Sequence, residues 1–256
     1  MMPFLTAYHT DKGIVKNTNQ DALLIKTANS SKGKVGLFVV CDGMGGLSHG
    51  ELASGTVIKG MNQWFDEKLP SIILSDDFSE AYINETLQSL LQQLNEKIMG
   101  YGEDNHIRLG TTVTALLMID DQFYTVQVGD SRLYVIDGEL KLLTKDQTLI
   151  AKEIERGNIT VEQAKNDPRK NVLLQCVGAT KGLEVVIDKG QIEKGEMYIL
   201  CSDGFHHRLS DEELFSELNP EQFTDEEQMK DRALSLVHLV KERQETDNIS
   251  ILLVKT

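Results

Sequence analysis

In the stretch FVVCDGMGG, residues 38–46, an apolar run ends on Asp42 and then on glycine. YILCSDG repeats the pattern at Asp203, VQVGDSR delivers Asp130 between two apolar runs, and ETDNISILLV sets Asp247 just ahead of the last one. A carboxylate at the end of a buried strand is costly in its charged form unless it is paired or ligates a cation. Convergence of these acids on a metal would offset that cost. Gly43, with no side chain, would let its carbonyl approach an ion. Oxygen donors without a His or Cys cluster select a hard divalent cation, Mg²⁺ or Mn²⁺, over Zn²⁺. A single Asp-Gly pair is equally well an ordinary turn, so it is the recurrence at four strand ends that favours the metal reading.

Strands must carry these acids. FLTAYHT, ALLIKT and VGLFVVC read as strands parted by the turns DKG and NSSKGK. Ser48 with Glu51 forms a capping box for a helix whose apolar stripe is Val57, Ile58, Met61, Trp64 and Phe65, and Ile83, Leu87, Leu90, Leu91, Leu94 and Ile98 mark a second helix. From Thr111 the period changes, and TTVTALLMI, QFYTVQVG, SRLYVI and ELKLLT read as one antiparallel meander. Residues 146–180 read as irregular helix and loop, with Thr160 and Gln163 capping a short helix, and form a candidate mobile flap. LEVVI and MYILC return to strand, Ser210 with Glu213 and Thr224 with Glu227 open two more helices, and ISILLV is a final strand. The helices are grouped and do not alternate singly with strands. That predicts an α+β fold of two packed antiparallel sheets with helices on both outer faces, in one domain over residues 1–256.

Composition narrows the function. The chain has 256 residues, long enough to bury roughly 70–75% of its unfolded surface, and carries 26 basic against 40 acidic side chains, a net charge of -14. Such a surface disfavours nucleic acid and anionic membranes as partners. The odd set Cys41, Cys176 and Cys201 has no CxxC pair and argues against a disulfide framework, which points to a reducing compartment. No signal-peptide pattern and no apolar run of about 18 residues appears, so a cytoplasmic protein is expected. His9, His49, His106, His206, His207 and His238 are scattered without ligand spacing.

NTNQDALL, CDGMGG, GTTVTALL, VGDSRLYV, LTKDQTL, CSDGFHHRLSDEEL and TDNISILL occur in order through residues 4–254. In this the chain resembles the bacterial branch of the metal-dependent serine/threonine protein phosphatases, the protein phosphatase 2C family. The resemblance implies hydrolysis of phosphoserine and phosphothreonine in proteins by a hydroxide that bridges two divalent cations. It implies that Asp42 bridges both Mn²⁺ or Mg²⁺ ions, that Asp203 and Asp247 complete one site, that the Gly43 carbonyl serves the other, and that Asp21 acts close by through water. Asp130 with Asp203 would hold a third, weaker ion. The partners implied are phosphorylated proteins, opposite a serine/threonine kinase, and the protein would be a monomer. The final strand ends close to the C-terminus, so regulation is expected from partners, metal supply or the flap.

Three positions depart from the family pattern. Lys16 stands where many members grip the substrate phosphate with arginine, and lysine supplies the charge without the planar fork. Gln20 replaces a common glutamate. Met44 takes the place of a histidine that protonates the leaving group in eukaryotic members. Two other functions compete with catalysis on phosphoproteins: a catalytically silent phosphoprotein-binding module on the same fold, and a hydrolase of small phosphate esters. Retention of all five aspartates speaks against the silent module.

Overall fold

Strand runs rich in Val, Ile and Leu have side chains that alternate between two faces, and here both faces are covered. The computed structural model describes residues 4–44, 49–75, 79–164 and 167–256. The strands are β1 (Leu5–Asp11), β2 (Ala22–Ser30), β3 (Gly33–Cys41), β4 (Gly43–Met44), β5 (Gly110–Thr111), β6 (Val113–Ile119), β7 (Gln122–Val128), β8 (Arg132–Ile136), β9 (Leu140–Leu142), β10 (Val186–Gln191), β11 (Met197–Cys201) and β12 (Ile249–Lys255). The helices are α1 (Gly50–Glu67), α2 (Leu69–Leu74), α3 (Glu80–Asn105), α4 (Leu149–Glu155), α5 (Val161–Ala164), α6 (Asp203–His206), α7 (Asp211–Glu217) and α8 (Glu226–Glu242).

Two five-stranded antiparallel sheets, β1-β12-β11-β8-β9 and β10-β7-β6-β3-β2, pack face to face. Strand β3 shows how the layers arise. Val35, Leu37, Val39 and Cys41 pack toward α1, α2 and α3, whereas Phe38 and Val40 point between the sheets and meet Leu116, Leu200 and Leu252. On the other outer face Tyr134, Ile199 and Ile251 pack with Met229 and Val237 of α8. Burying one such side chain fully contributes about 1.5–3 kcal/mol, and the expected α+β sandwich is the fold observed. No helix among the described residues is long and apolar enough to cross a membrane.

The observed elements differ from the expected ones in four details. The expected meander is divided: β6 and β7 belong to one sheet and β8 and β9 to the other, so residues 129–131 cross between sheets. The last long helix is capped by Asp225, whose side chain accepts from Gln228 N, one residue beyond the expected Thr224, while Gln228 Oε1 accepts from Thr224 N and not from the cap's own N–H. LEVVI is only partly strand, because β10 begins at Val186 while Leu183 turns into the helix-side core. The short helix α2 was not expected. The boxes at Ser210–Glu213 and Thr160–Gln163 are both present. Ser48 lies outside the described residues, so the first expected cap is not described.

Candidate active site

All five aspartates come to one rim of the sandwich because strand ends from both sheets meet there. Asp42 follows β3 and Asp21 precedes β2 in one sheet; Asp203 follows β11 and Asp247 precedes β12 in the other; Asp130 lies on the link between the sheets. Burial lifts the Asp42 carboxyl well above the usual carboxylate range, and the charges of Asp21, Asp203, Asp130 and Asp247 push the same way. Burial also raises Asp130, with Asp203 and Asp146 adding to it. For Asp203 burial is again the main cause, and His207, whose Nδ1 is 3.9 Å from Asp203 Oδ2, works against it.

Asp21 is held more closely. Its Oδ2 accepts from Ser250 Oγ (2.6 Å) and Ser202 Oγ (2.9 Å), and Ser202 Oγ in turn accepts from Ser250 N (3.0 Å). Burial, together with Asp203 and Asp247, still raises the Asp21 carboxyl against the pull of the two hydroxyls. Its Oδ1 is buried without a partner, as is Asp203 Oδ1. A buried carboxylate oxygen left without a donor is costly, and both sit within the group of mutually repelling acids. That is where an oxygen-loving cation fits by donor chemistry. Among the described residues no three His, Cys, Asp or Glu side chains already close around one point, so the fit rests on the orphaned oxygens and the all-oxygen donor set.

Residues that the sequence reading left without a role set the backbone of the site. Thr112 Oγ1 accepts from Asp42 N (2.9 Å), Thr112 N and Thr111 Oγ1 donate to the Asp42 carbonyl, and Thr112 Oγ1 reaches Ser131 Oγ (2.8 Å) beside Asp130. Gln147 clamps the same link, accepting from Gly129 N at 2.7 Å through Oε1 and donating from its own N to Gly129 O at 2.9 Å. Glu245 accepts from Asp247 N and Thr246 N and is itself held by Arg208 Nε (3.0 Å). These residues lie inside the motifs already quoted, but a hydroxyl's partner across the sheet is not visible in one strand's spacing.

Gly43 pairs with Thr111 in a two-stranded ribbon. A Cβ on it would lie 2.4 Å from the carbonyl oxygens of Gln20 and Gly50, so only glycine fits there. Lys16 Nζ stands 2.8 Å from Asp247 Oδ1. Burial works against its charge, but Asp247, with Asp42 and Asp203 behind, holds the ammonium above the usual lysine range. Gln20 turns away from the acids: its Nε2 donates to Glu51 Oε2 (3.2 Å) and its carbonyl accepts from Ser54 Oγ. Burial pushes the Cys41 thiol up, and Cys201 up to about 12, which removes both as thiolate nucleophiles. A cavity of about 760 Å³ between α1, α2 and α3 is lined by none of the five aspartates.

The fold is a two-sheet sandwich with five carboxylates gathered at one rim and with the Cys41 and Cys201 thiols buried. Residues 8–239 match the family described as Protein phosphatase 2C, and the chain belongs to that family, as a serine/threonine protein phosphatase. It is 29% identical over 250 residues to the protein phosphatase PhpP of Streptococcus pneumoniae, covering 96% of this chain and 94% of that protein. The solved serine/threonine phosphatase of S. agalactiae superposes with a TM-score of 0.85 at 28% identity, over 99% of this chain and 100% of that one. The catalytic domain of the phosphatase PstP, solved in complex with two manganese ions, superposes with a TM-score of 0.78 at 27% identity, over 98% and 97% of the two chains.

Proposed function

We propose that this phosphatase hydrolyses phosphoserine and phosphothreonine in proteins with two Mn²⁺ or Mg²⁺ ions held by Asp42, Asp203, Asp247 and the Gly43 carbonyl, with Asp21 behind them. The observation that carries the reading is the pair of orphaned buried oxygens, Asp21 Oδ1 and Asp203 Oδ1, among acids that repel one another. The two manganese ions of the similar PstP domain support it. Divalent cations, when bound, would acidify water for in-line attack at phosphorus and neutralise the phosphoryl oxygens. The chain's own residues position this chemistry. Ser202 and Ser250 orient Asp21, Thr111 and Thr112 fix the Asp42 backbone, and Arg208 with Glu245 fixes the segment bearing Asp247. Lys16 would hold the substrate phosphate, exchanging its contact with Asp247 for a phosphoryl oxygen. Asp130 with Asp203 would take a third, weaker ion, and residues 146–180 would serve as a flap beside it.

The same proposal makes the substrates phosphoproteins of a serine/threonine kinase in the cytoplasm, and the enzyme a monomer. Its test is metal removal. Chelated protein should be inactive on a phosphothreonine peptide and on p-nitrophenyl phosphate, and Mn²⁺ or Mg²⁺ should restore both activities. Full turnover after exhaustive chelation would remove the mechanism.

A further inference from the structure

The loop between β1 and β2 is tied to the site at both ends. Asn248 Nδ2 donates to the carbonyls of Lys12 (3.0 Å) and Thr18 (3.1 Å), and Asn248 Oδ1 accepts from Gln20 N (2.9 Å). Gly13 has a φ of 76°, and a Cβ on it would lie 2.2 Å from the Asp247 carbonyl oxygen, so the loop backbone rests on Asp247 itself. Asp11 Oδ1 accepts from Gly13 N, and Asn19 Nδ2 donates to Thr10 Oγ1. Held at so many points, the loop keeps its tip in fixed register with the acids.

From this frame Lys16 turns to Asp247, while Ile14 and Val15 are 45% and 61% exposed. Single exposed apolar side chains are ordinary surface. Two in succession, on a pinned loop and directly before the residue that faces the acids, put exposed apolar surface within two residues of Lys16. We infer that Ile14 and Val15 receive an apolar side chain of the substrate protein, within three residues of its phosphorylated residue. The inference rests on the proposed function. The occupant follows from continuity with the site: a peptide whose phosphate lies between Lys16 and the acids must pass its flanking residues over neighbouring surface, advancing about 3.3 Å per residue when extended. Because the loop is already ordered, docking there costs little further conformational entropy.

The experiment uses two phosphothreonine peptides, identical except that the residues within three positions of the phosphothreonine are Val and Leu in one and Ser in the other. Both are assayed with Mn²⁺ on the wild-type protein and on Ile14→Ser/Val15→Ser, with thermal melting to verify folding. Wild type should show a kcat/KM about five- to tenfold higher for the apolar peptide, carried by KM, near the low end of what a small apolar contact contributes. The double variant should bring the two peptides close to parity. Should it fail to fold, the milder Ile14→Thr and Val15→Thr proteins are read by the same ratio. Parity in wild type, or a preference that survives the substitutions, overturns the inference. Self-association in sedimentation that the double variant abolishes, together with parity in wild type, would assign the tip to a second copy and overturn it equally. Mn²⁺-dependent hydrolysis of p-nitrophenyl phosphate separates the two failures: its presence without a peptide preference rejects only the docking step, and its absence rejects the catalytic reading beneath it.

Discussion

Lys16 and Asp247 form an ion pair at 2.8 Å, with both side chains about two-fifths exposed, at 41% and 38%. The lysine expected to meet the substrate phosphate is thus paired with an acid of the proposed cation site. At that exposure the pair itself contributes only about 0–1 kcal/mol, so it is cheap to exchange. An arriving phosphate can take the ammonium while a cation takes the carboxylate.

Replacing Lys16 should therefore have two opposite effects. Lys16→Ala should raise KM for a phosphopeptide by about three- to tenfold, less than a fully desolvated charged contact would give, with kcat nearly unchanged. It should also tighten Mn²⁺ binding, because the ammonium no longer competes for Asp247. Lys16→Arg should keep or lower KM through its planar fork. Steady-state kinetics and calorimetric Mn²⁺ titration check both effects, and wild-type values in each would show that another residue grips the phosphate.

Asp42→Asn or Asp203→Asn should reduce turnover by at least about 10²-fold with the fold retained, and each should also stabilise the metal-free protein. The sign follows from the raised carboxyls. A folded-state pKa above the unfolded value of about 3.9 means that ionisation costs stability, beginning above that pH and growing toward the raised value. Asparagine removes the cost. The metal-free variants should melt above metal-free wild type near pH 8, with the difference vanishing near pH 4, and Mn²⁺ should stabilise wild type more than either variant. Thermal melts with and without Mn²⁺ at the two pH values check this.

The layers were legible because β3 is a short apolar run bounded by the NSSKGK turn and by Asp42-Gly43, and α3 keeps one apolar stripe from Ile83 to Ile98; the alternation of β3 between two buried faces emerged only in the structure. Four of the acids were legible because each borders an apolar run, Asp42 and Asp203 after one, Asp247 before one and Asp130 between two, whereas Asp21 entered only through the family resemblance. The sheet switch at Gly129 to Ser131 was not, since a tight turn between two strands reads the same whether they pair or part. Equally hidden were Ser202, Ser250 and Asn248. Their partners, Asp21 and the loop from Lys12 to Gln20, lie about 180 to 236 residues away in sequence, beyond any periodicity.

Ser250→Ala tests one of these hidden supports. It removes the 2.6 Å donor to Asp21 Oδ2 and leaves Ser202 alone on that oxygen. A hydrogen bond to a charged group is worth about 1.5–3 kcal/mol, and at this chain length about 2–4 °C of melting temperature goes with each kcal/mol. The variant should melt about 3–12 °C lower in the presence of Mn²⁺. A melting curve superimposable on wild type would show that the hydroxyl does not hold Asp21.

Asp130→Asn should behave unlike the substitutions at Asp42 and Asp203. The link that carries Asp130 is fixed without its carboxylate: Gln147 clamps Gly129, Thr112 Oγ1 meets Ser131 Oγ, and the Ser131 carbonyl accepts from Thr114 Oγ1 and Gln127 Nε2. The fold and the backbone around Asp42 should therefore survive. Only one oxygen donor is weakened, and it is not among those proposed for the two core ions, so these should remain. Turnover should fall by about 10–100-fold, the range seen when support around a metal site is lost, and the Mn²⁺ concentration needed for half-maximal rate should rise. Crystals of the variant grown with Mn²⁺ should hold two ions at the acids, where wild-type crystals should hold three. Three ions at undiminished occupancy in the variant would refute the role given to Asp130.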